Sequence, residues 1–177
     1  MKRILYTINN LNTAGMKYVL ADLVRGIDKK EFEPLICVNK KYNSGLEKEL
    51  EKHFPVIELN LRIPRRPIIS FPLRLLNTIQ KLRKLDIDLA HSFDYASDWT
   101  EGLAMKLAGI KYVAEKTNLY YSKKWDRKLR FADAIICLSN AQAIQLEKFH
   151  EKVTRIPTGI DLSRFGGNDA LERSDFG

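Results

Sequence analysis

Ile4-Leu5-Tyr6-Thr7-Ile8, the loop Asn9-Asn10-Leu11-Asn12-Thr13-Ala14-Gly15-Met16, and the spaced residues Leu20, Leu23, Val24 and Ile27 together decide the fold. The opening run is rich in β-branched and aromatic side chains and lacks polar alternation. That is the pattern of a strand buried on both faces, as in parallel sheets. Met16, Leu20, Leu23, Val24 and Ile27 repeat at i, i+4, i+7, i+8 and i+11, one face of a helix. Strand, short polar loop and amphipathic helix form the first half of a βαβ unit.

The same alternation continues outward. Further strand-length runs are Pro34–Val38, Pro55–Leu61, Ile87–Phe93, Tyr112–Ala114, Ala134–Leu138 and Val153–Ile156. Leu46 and Leu50 mark a short second helix, and Leu73, Leu76, Ile79 and Leu82 a third. Leu103, Met105 and Leu107 mark a fourth that stops at Gly109, a C-cap position. Ala141–Phe149 reads as another, with Ser139 or Asn140 as its N-cap. The expected fold is α/β: a Rossmann-like, doubly wound, mostly parallel sheet of about seven strands with helices on both faces.

Length and composition agree. The chain has 177 residues, room for one domain with a sizeable core. Apolar residues at 45% and charged residues at 29% exclude a disordered chain. Thirty Lys and Arg against 22 Asp and Glu leave a net charge of +8, which favours anionic partners. The two cysteines, Cys37 and Cys137, lie in apolar runs and form neither a disulfide framework nor a C-x-x-C metal pair. No apolar stretch reaches the length of a membrane span, and the first run is too short for a signal-peptide core.

In a doubly wound sheet, ligands bind beyond the carboxyl ends of the strands. The informative residues are therefore those that follow each strand. The Thr13-Ala14-Gly15 loop opens a helix, where backbone N–H groups attract an anion. It equally reads as a plain turn, because the G-x-G-x-x-G dinucleotide fingerprint is absent. His91 ends one strand and either shapes the site or is satisfied by backbone. Asp94 can orient its ring or accept a ligand hydroxyl, a sugar hydroxyl on the resemblance described below. Glu115, Lys116 and Asn118 follow the next strand. Glu115 is a candidate proton acceptor and Lys116 a point charge for a phosphate, or the two are a solvated pair. Ser139 is a helix cap or a ligand contact. Gly159 is expected to supply an unusual backbone conformation and Asp161 a cap or hinge. His53 and His150 read as surface histidines.

One ordered set of segments goes further. It comprises the Lys2–Ile8 strand, Thr13-Ala14-Gly15-Met16, Asp88-Leu89-Ala90-His91-Ser92 and Ala108-Gly109-Ile110-Lys111-Tyr112-Val113. It ends with Ala132-Asp133-Ala134-Ile135-Ile136-Cys137-Leu138-Ser139 and Ile156-Pro157-Thr158-Gly159-Ile160-Asp161-Leu162-Ser163-Arg164-Phe165. Together they resemble the N-terminal half of a retaining glycosyltransferase of family 4, of two-domain GT-B architecture. The first loop departs from the family in having Ala14 where a glycine is usual. The resemblance implies an acceptor-binding domain over residues 1–165. Residues 166–177 would be a linker or the start of a C-terminal donor domain that this chain does not contain, so the chain alone would be inactive. It implies a nucleotide-sugar donor, a glycan or lipid-linked acceptor in cell-surface polysaccharide synthesis, no metal cofactor, and a cytoplasmic location. It also implies a histidine at the position of His91, and another contacting the donor sugar where this sequence has Lys116.

Between Arg62 and Leu85 there are seven basic residues and no acidic one. Arg65, Arg66, Arg74 and Lys81 belong to this stretch. A second cluster holds Lys123, Lys124 and Arg127, with Lys128 and Arg130, among Tyr120, Tyr121 and Trp125. Basic residues beside exposed aromatics suit an acidic membrane surface, such as the inner face of the cell membrane. The alternative is that the leucine stripe is core and the cations are simply solvated. A nucleic-acid partner is set aside for want of a recognisable motif. A stand-alone nucleotide-binding domain is disfavoured by the missing glycine pattern. Oligomeric state is open.

Overall fold

The computed structural model describes residues 1–12, 15–119 and 123–159, apart from the side chains of 148–150. Thr13, Ala14, Tyr120, Tyr121, Asp161, the 166–177 segment and the His150 side chain lie outside the described residues. The elements run β1 (Lys2–Ile8), α1 (Gly15–Gly26), β2 (Phe32–Val38), α2 (Gly45–Glu51), β3 (Val56–Glu58), α3 (Phe71–Arg83) and β4 (Leu89–Ser92). They continue with α4 (Thr100–Ala108), β5 (Lys111–Lys116), α5 (Lys123–Leu129), β6 (Ala134–Cys137), α6 (Asn140–Gln145) and β7 (Val153–Arg155). Short 3₁₀ turns at Ile68–Ser70 and Glu147–Lys152 precede α3 and β7.

All seven strands are parallel, in the order β3-β2-β1-β4-β5-β6-β7. The chain winds outward from β1 to β3, returns to β4, and winds outward the other way. The winding reverses between β1 and β4, and a crevice opens at their carboxyl ends. Helices cover both faces. One face packs Leu5, Ala90, Tyr112, Ala114 and Ile135 under α3, α4 and α5. The other packs Ile4, Tyr6, Ile8, Ile36 and Val38 under α1 and α2.

Local chemistry sets several boundaries. Ser44 caps α2 by accepting from Glu47 N. Ser139 and Gln142 form a reciprocal capping box on α6. Gly109 ends α4 at φ 84°, a left-handed turn that costs a glycine little. Gly159 is not in that region, so the unusual conformation expected there is not found.

Three expectations need correction. The third helix does not bury the stripe Leu73, Leu76, Ile79 and Leu82: Leu73 is 70% and Leu76 54% exposed. Phe71, Leu75, Ile79 and Leu82 face the core instead. The last helix is shorter than expected and gives way to a 3₁₀ turn. The Lys123–Arg130 cluster is not a purely solvated charge run, because α5 buries Trp125, Lys128 and Leu129. Trp125 is a core residue rather than an exposed aromatic.

Gly102, on the inner side of α4, allows that helix to approach β5 closely. A Cβ there would lie 2.9 Å from Phe131 Cβ and 3.1 Å from Tyr112 Cε1. Neither neighbour is the free end of a flexible chain. Overpacking therefore outweighs the gain in helix propensity, and Gly102→Ala should destabilise the protein by about 1–2 kcal/mol, read as a lowered Tm.

Candidate functional site

The crevice at the reversal point holds a cavity of about 270 Å³ lined by Tyr6, Val19, Leu23, His91, Phe93, Glu115, Ile136 and Leu138, with Ile156–Gly159 at its edge. Pairing of β1 with β4 sets Tyr6 beside His91. Their rings lie 5.8 Å apart, and the His91 and Phe93 rings 4.5 Å apart. His91 Nε2 meets Glu115 Oε2 at 3.0 Å, and both side chains are nearly enclosed. A carboxylate on one ring nitrogen holds the imidazole in one tautomer. Burial pushes the Tyr6 phenol up to about 12, so it stays neutral. The walls are otherwise apolar, as in sites that orient a ligand by a few polar groups.

The loop after β4 is built around Asp94. Its carboxylate is 4% exposed and receives Arg62 Nε at 2.8 Å and Nη2 at 2.5 Å, a two-pronged contact. It also accepts from Ala96 N at 3.0 Å. Lys128, buried on α5, donates through Nζ to Asp94 O at 2.6 Å and Ala96 O at 3.0 Å. Burial alone would raise the Asp94 pKa, but the Arg62 contact and the Lys128 charge outweigh it and hold it below the ordinary value. Asp94 is thus occupied within the fold. Its expected role towards the His91 ring or a sugar hydroxyl is not the contact seen.

A second buried carboxyl, Glu101 at the start of α4, accepts from Thr7 Oγ1, from Ser92 Oγ at 3.1 Å and from Tyr112 OH at 3.4 Å. It ties α4 to β1, β4 and β5 directly under the crevice. Burial raises its pKa. Nothing in the sequence distinguishes this acid from the surface acids common in a first helical turn.

The expected catalytic set divides. Successive residues of a strand face opposite ways. Glu115 therefore joins His91 in the crevice while Lys116 lies on the other face, its Nζ donating to Asn118 O and, at 2.6 Å, to Asn118 Oδ1. Lys116 sits 4.8 Å from the Trp125 ring centre, and burial lowers its pKa to about 8. Gly15 begins α1 at the crevice end of β1, and a Cβ there would meet nothing. Ser139 is engaged as the α6 cap. Arg74 is tied to the Pro64 and Pro67 carbonyls and to Ser70 Oγ. Arg65, Arg66, Lys81, Lys123, Lys124 and Arg127 are exposed, as is His53. Among the described residues, no three His, Cys, Asp or Glu side chains converge to hold a metal ion. No helix among them is long and apolar enough to cross a membrane.

The Asp94 pair has a measurable signature. Because its folded pKa is depressed, its contribution to stability is present above the ordinary value of 3.8 and is lost as pH falls through the depressed one. Arg62→Leu should cost about 2 kcal/mol at pH 7, less than a fully buried pair because Arg62 is 32% exposed. In denaturant titrations the gap from wild type should close at acid pH, since a protonated Asp94 needs no cation. A gap that does not change with pH would refute this account.

The family described as Glycosyltransferase Family 4 matches residues 13–164. No curated protein matches the chain. Anabaena Alr3699/HepE in complex with UDP-glucose has a similar fold, at TM-score 0.69 and 17% identity over 92% of this chain and 45% of that one. A glycosyltransferase from Rickettsia africae gives TM-score 0.68 at 18% identity, over 93% of this chain and 45% of that one. S. aureus MnaA, solved with UDP, gives 0.62 at 17%, over 97% and 49%. The chain thus spans about half the length of these proteins, and the Rossmann-like sheet expected for the N-terminal half of a GT-B enzyme is the one observed. On the family match over most of its length, the chain belongs to glycosyltransferase family 4.

Proposed function

We propose that this chain is the acceptor-binding half of a retaining GT-B glycosyltransferase. The enzyme transfers a sugar from a nucleotide-sugar to a glycan or lipid-linked acceptor in cell-surface polysaccharide synthesis. Family membership carries the reading, and the His91–Glu115 pair gives it a mechanism. With Glu115 fixing its tautomer, His91 orients the acceptor hydroxyl and polarises its proton as the new bond forms. Glu115 acts through His91 and is a positioning residue. A second domain supplies the nucleotide-sugar site across the crevice, no metal cofactor is required, and residues 1–165 alone do not turn over.

The enzyme works in the cytoplasm, against the inner face of the membrane. Ile68 is 79%, Ile69 93% and Leu73 70% exposed, beside the cations Arg65 and Arg66. Exposed apolar residues ringed by positive charge suit an anionic bilayer surface.

Two measurements test these statements. In a polypeptide carrying this domain together with its donor domain, transfer from a nucleotide-sugar panel should be detectable as nucleotide release. His91→Ala should lower kcat by about 10² or more, the scale of general acid–base assistance. Absence of transfer with every donor would overturn the enzymatic reading. The 177-residue chain should co-sediment with acidic vesicles at low salt and not with neutral ones. Ile68→Asp/Ile69→Asp should abolish this, and retention in the variant would remove the membrane role.

A further inference from the structure

On the opposite side of the sheet from the His91 crevice, at the same carboxyl edge, lies a cavity of about 470 Å³. Its walls carry five cations, Arg62, Arg65, Lys123, Lys124 and Arg127, around Trp99. One carboxylate, Asp98, also lines it, and that group is engaged by Thr100 N at 2.8 Å and by Thr100 Oγ1 at 2.5 Å. Among the described residues, Arg65, Lys123, Lys124 and Arg127 make no ion pair. The Arg65 and Arg127 guanidinium carbons stand 5.9 and 5.7 Å from the Trp99 ring centre, so one indole gathers two like charges. The Trp99 Nε1 is shut from solvent and has no acceptor among the described residues.

The cavity is preformed rather than improvised by surface side chains. Its Ala96–Trp99 wall is the segment held by Asp94 with Arg62 and by Lys128 on the Asp94 and Ala96 carbonyls. Arg62 is met by Asp94, but Arg65, Lys123, Lys124 and Arg127 repel one another, and a multiply charged ligand relieves that repulsion. Guanidinium forks match the oxygens of phosphate geometrically, and ammonium groups add point charge. A concave pocket takes a compact group such as a diphosphate, whereas a polymer backbone asks for an extended groove.

We propose that this cavity binds the phosphate or diphosphate group of the acceptor, so that the acceptor is a phosphorylated molecule. That the ligand is an acceptor rests on the glycosyltransferase reading above; the anion site itself does not. The loop that follows β4 lines both cavities, with Phe93 in the crevice and Ala96–Trp99 here. One loop thereby joins the two cavities, with the acceptor's anion at one end of it and the reacting hydroxyl at the other. Arg65 also borders the exposed Pro64, Arg66 and Ile68, the surface proposed above to face the membrane.

The test is calorimetric titration of the chain with inorganic pyrophosphate. One saturable site is expected. Lys124→Ala/Arg127→Ala should weaken it by about tenfold or more, on the scale of charge-assisted contacts. Lys48→Ala/Lys106→Ala removes the same charge from exposed positions on α2 and α4 and should leave affinity within about twofold, since distant surface charge is screened. No saturable binding, or equal weakening in both variants, would overturn the site. Neutral vesicles carrying a prenyl diphosphate or the matching prenyl alcohol separate the sources. Retention on the diphosphate vesicles alone assigns a lipid acceptor, and pyrophosphate binding without retention assigns a soluble one. Pyrophosphate binding in a protein whose two-domain form transfers no sugar would sink the enzymatic reading and leave the anion site standing.

Discussion

The carboxylate of Asp94 is almost fully enclosed, and an enclosed charge must be met by opposite charge and hydrogen bonds. Meeting it draws together parts of the chain that are otherwise unrelated. Arg62 comes from the segment after β3, 32 residues earlier in sequence, and Lys128 from α5, 34 residues later. The loop between them has no regular structure of its own, yet Lys128 meets its Asp94 and Ala96 carbonyls and the Asp94 carboxylate meets its Ala96 amide. Glu101 does similar work one layer below, joining α4 to three strands through hydroxyl donors. The two acids differ in outcome because their partners differ. Full cations keep Asp94 charged, whereas burial dominates at Glu101 and raises its pKa.

The sheet between these layers also sorts the chemistry. Glu115 and Lys116 are neighbours in sequence, and a pleated strand sends them to opposite faces. One completes a hydrogen-bonded pair with His91 in a cavity of mainly apolar walls. The other is buried beside Trp125, its ammonium on Asn118. A glycosyltransferase site in which both acted on one atom would need the strand to be broken, and β5 is regular through Lys116.

Much of the fold was legible because its signals are local. Runs of apolar residues without alternation placed all seven strands, and Ser139 and Gly109 marked helix ends through chemistry confined to a few residues. Where local signals competed, the reading failed. Helix α3 contains two overlapping stripes: Leu73, Leu76, Ile79 and Leu82, and Phe71, Leu75, Ile79 and Leu82. Only packing against the sheet selects the second. Helix α5 was missed because its buried face includes a lysine. Lys128 is inside solely because two loop carbonyls wait for it, a fact carried by no residue near it in sequence. His91 and Glu115 were legible as strand-end residues; their contact follows from the β4–β5 pairing, which places the two strands side by side.

The rigidity of the loop after β4 bears on selectivity as well as on stability. Its first residue, Phe93, lines the His91 crevice, and Ala96–Trp99 line the cationic cavity. If the two cavities are used as proposed, Asp94 fixed between them lets the fold rather than the ligand set the distance from anion to reacting hydroxyl. A ligand that fills both places must carry its charge and its hydroxyl at that separation. On that proposal, a ligand with a misplaced phosphate would leave either the cations unneutralised or its hydroxyl out of reach of His91. Discrimination of this kind costs the protein no extra contacts, because preorganised groups reject a mismatched ligand by remaining unsatisfied.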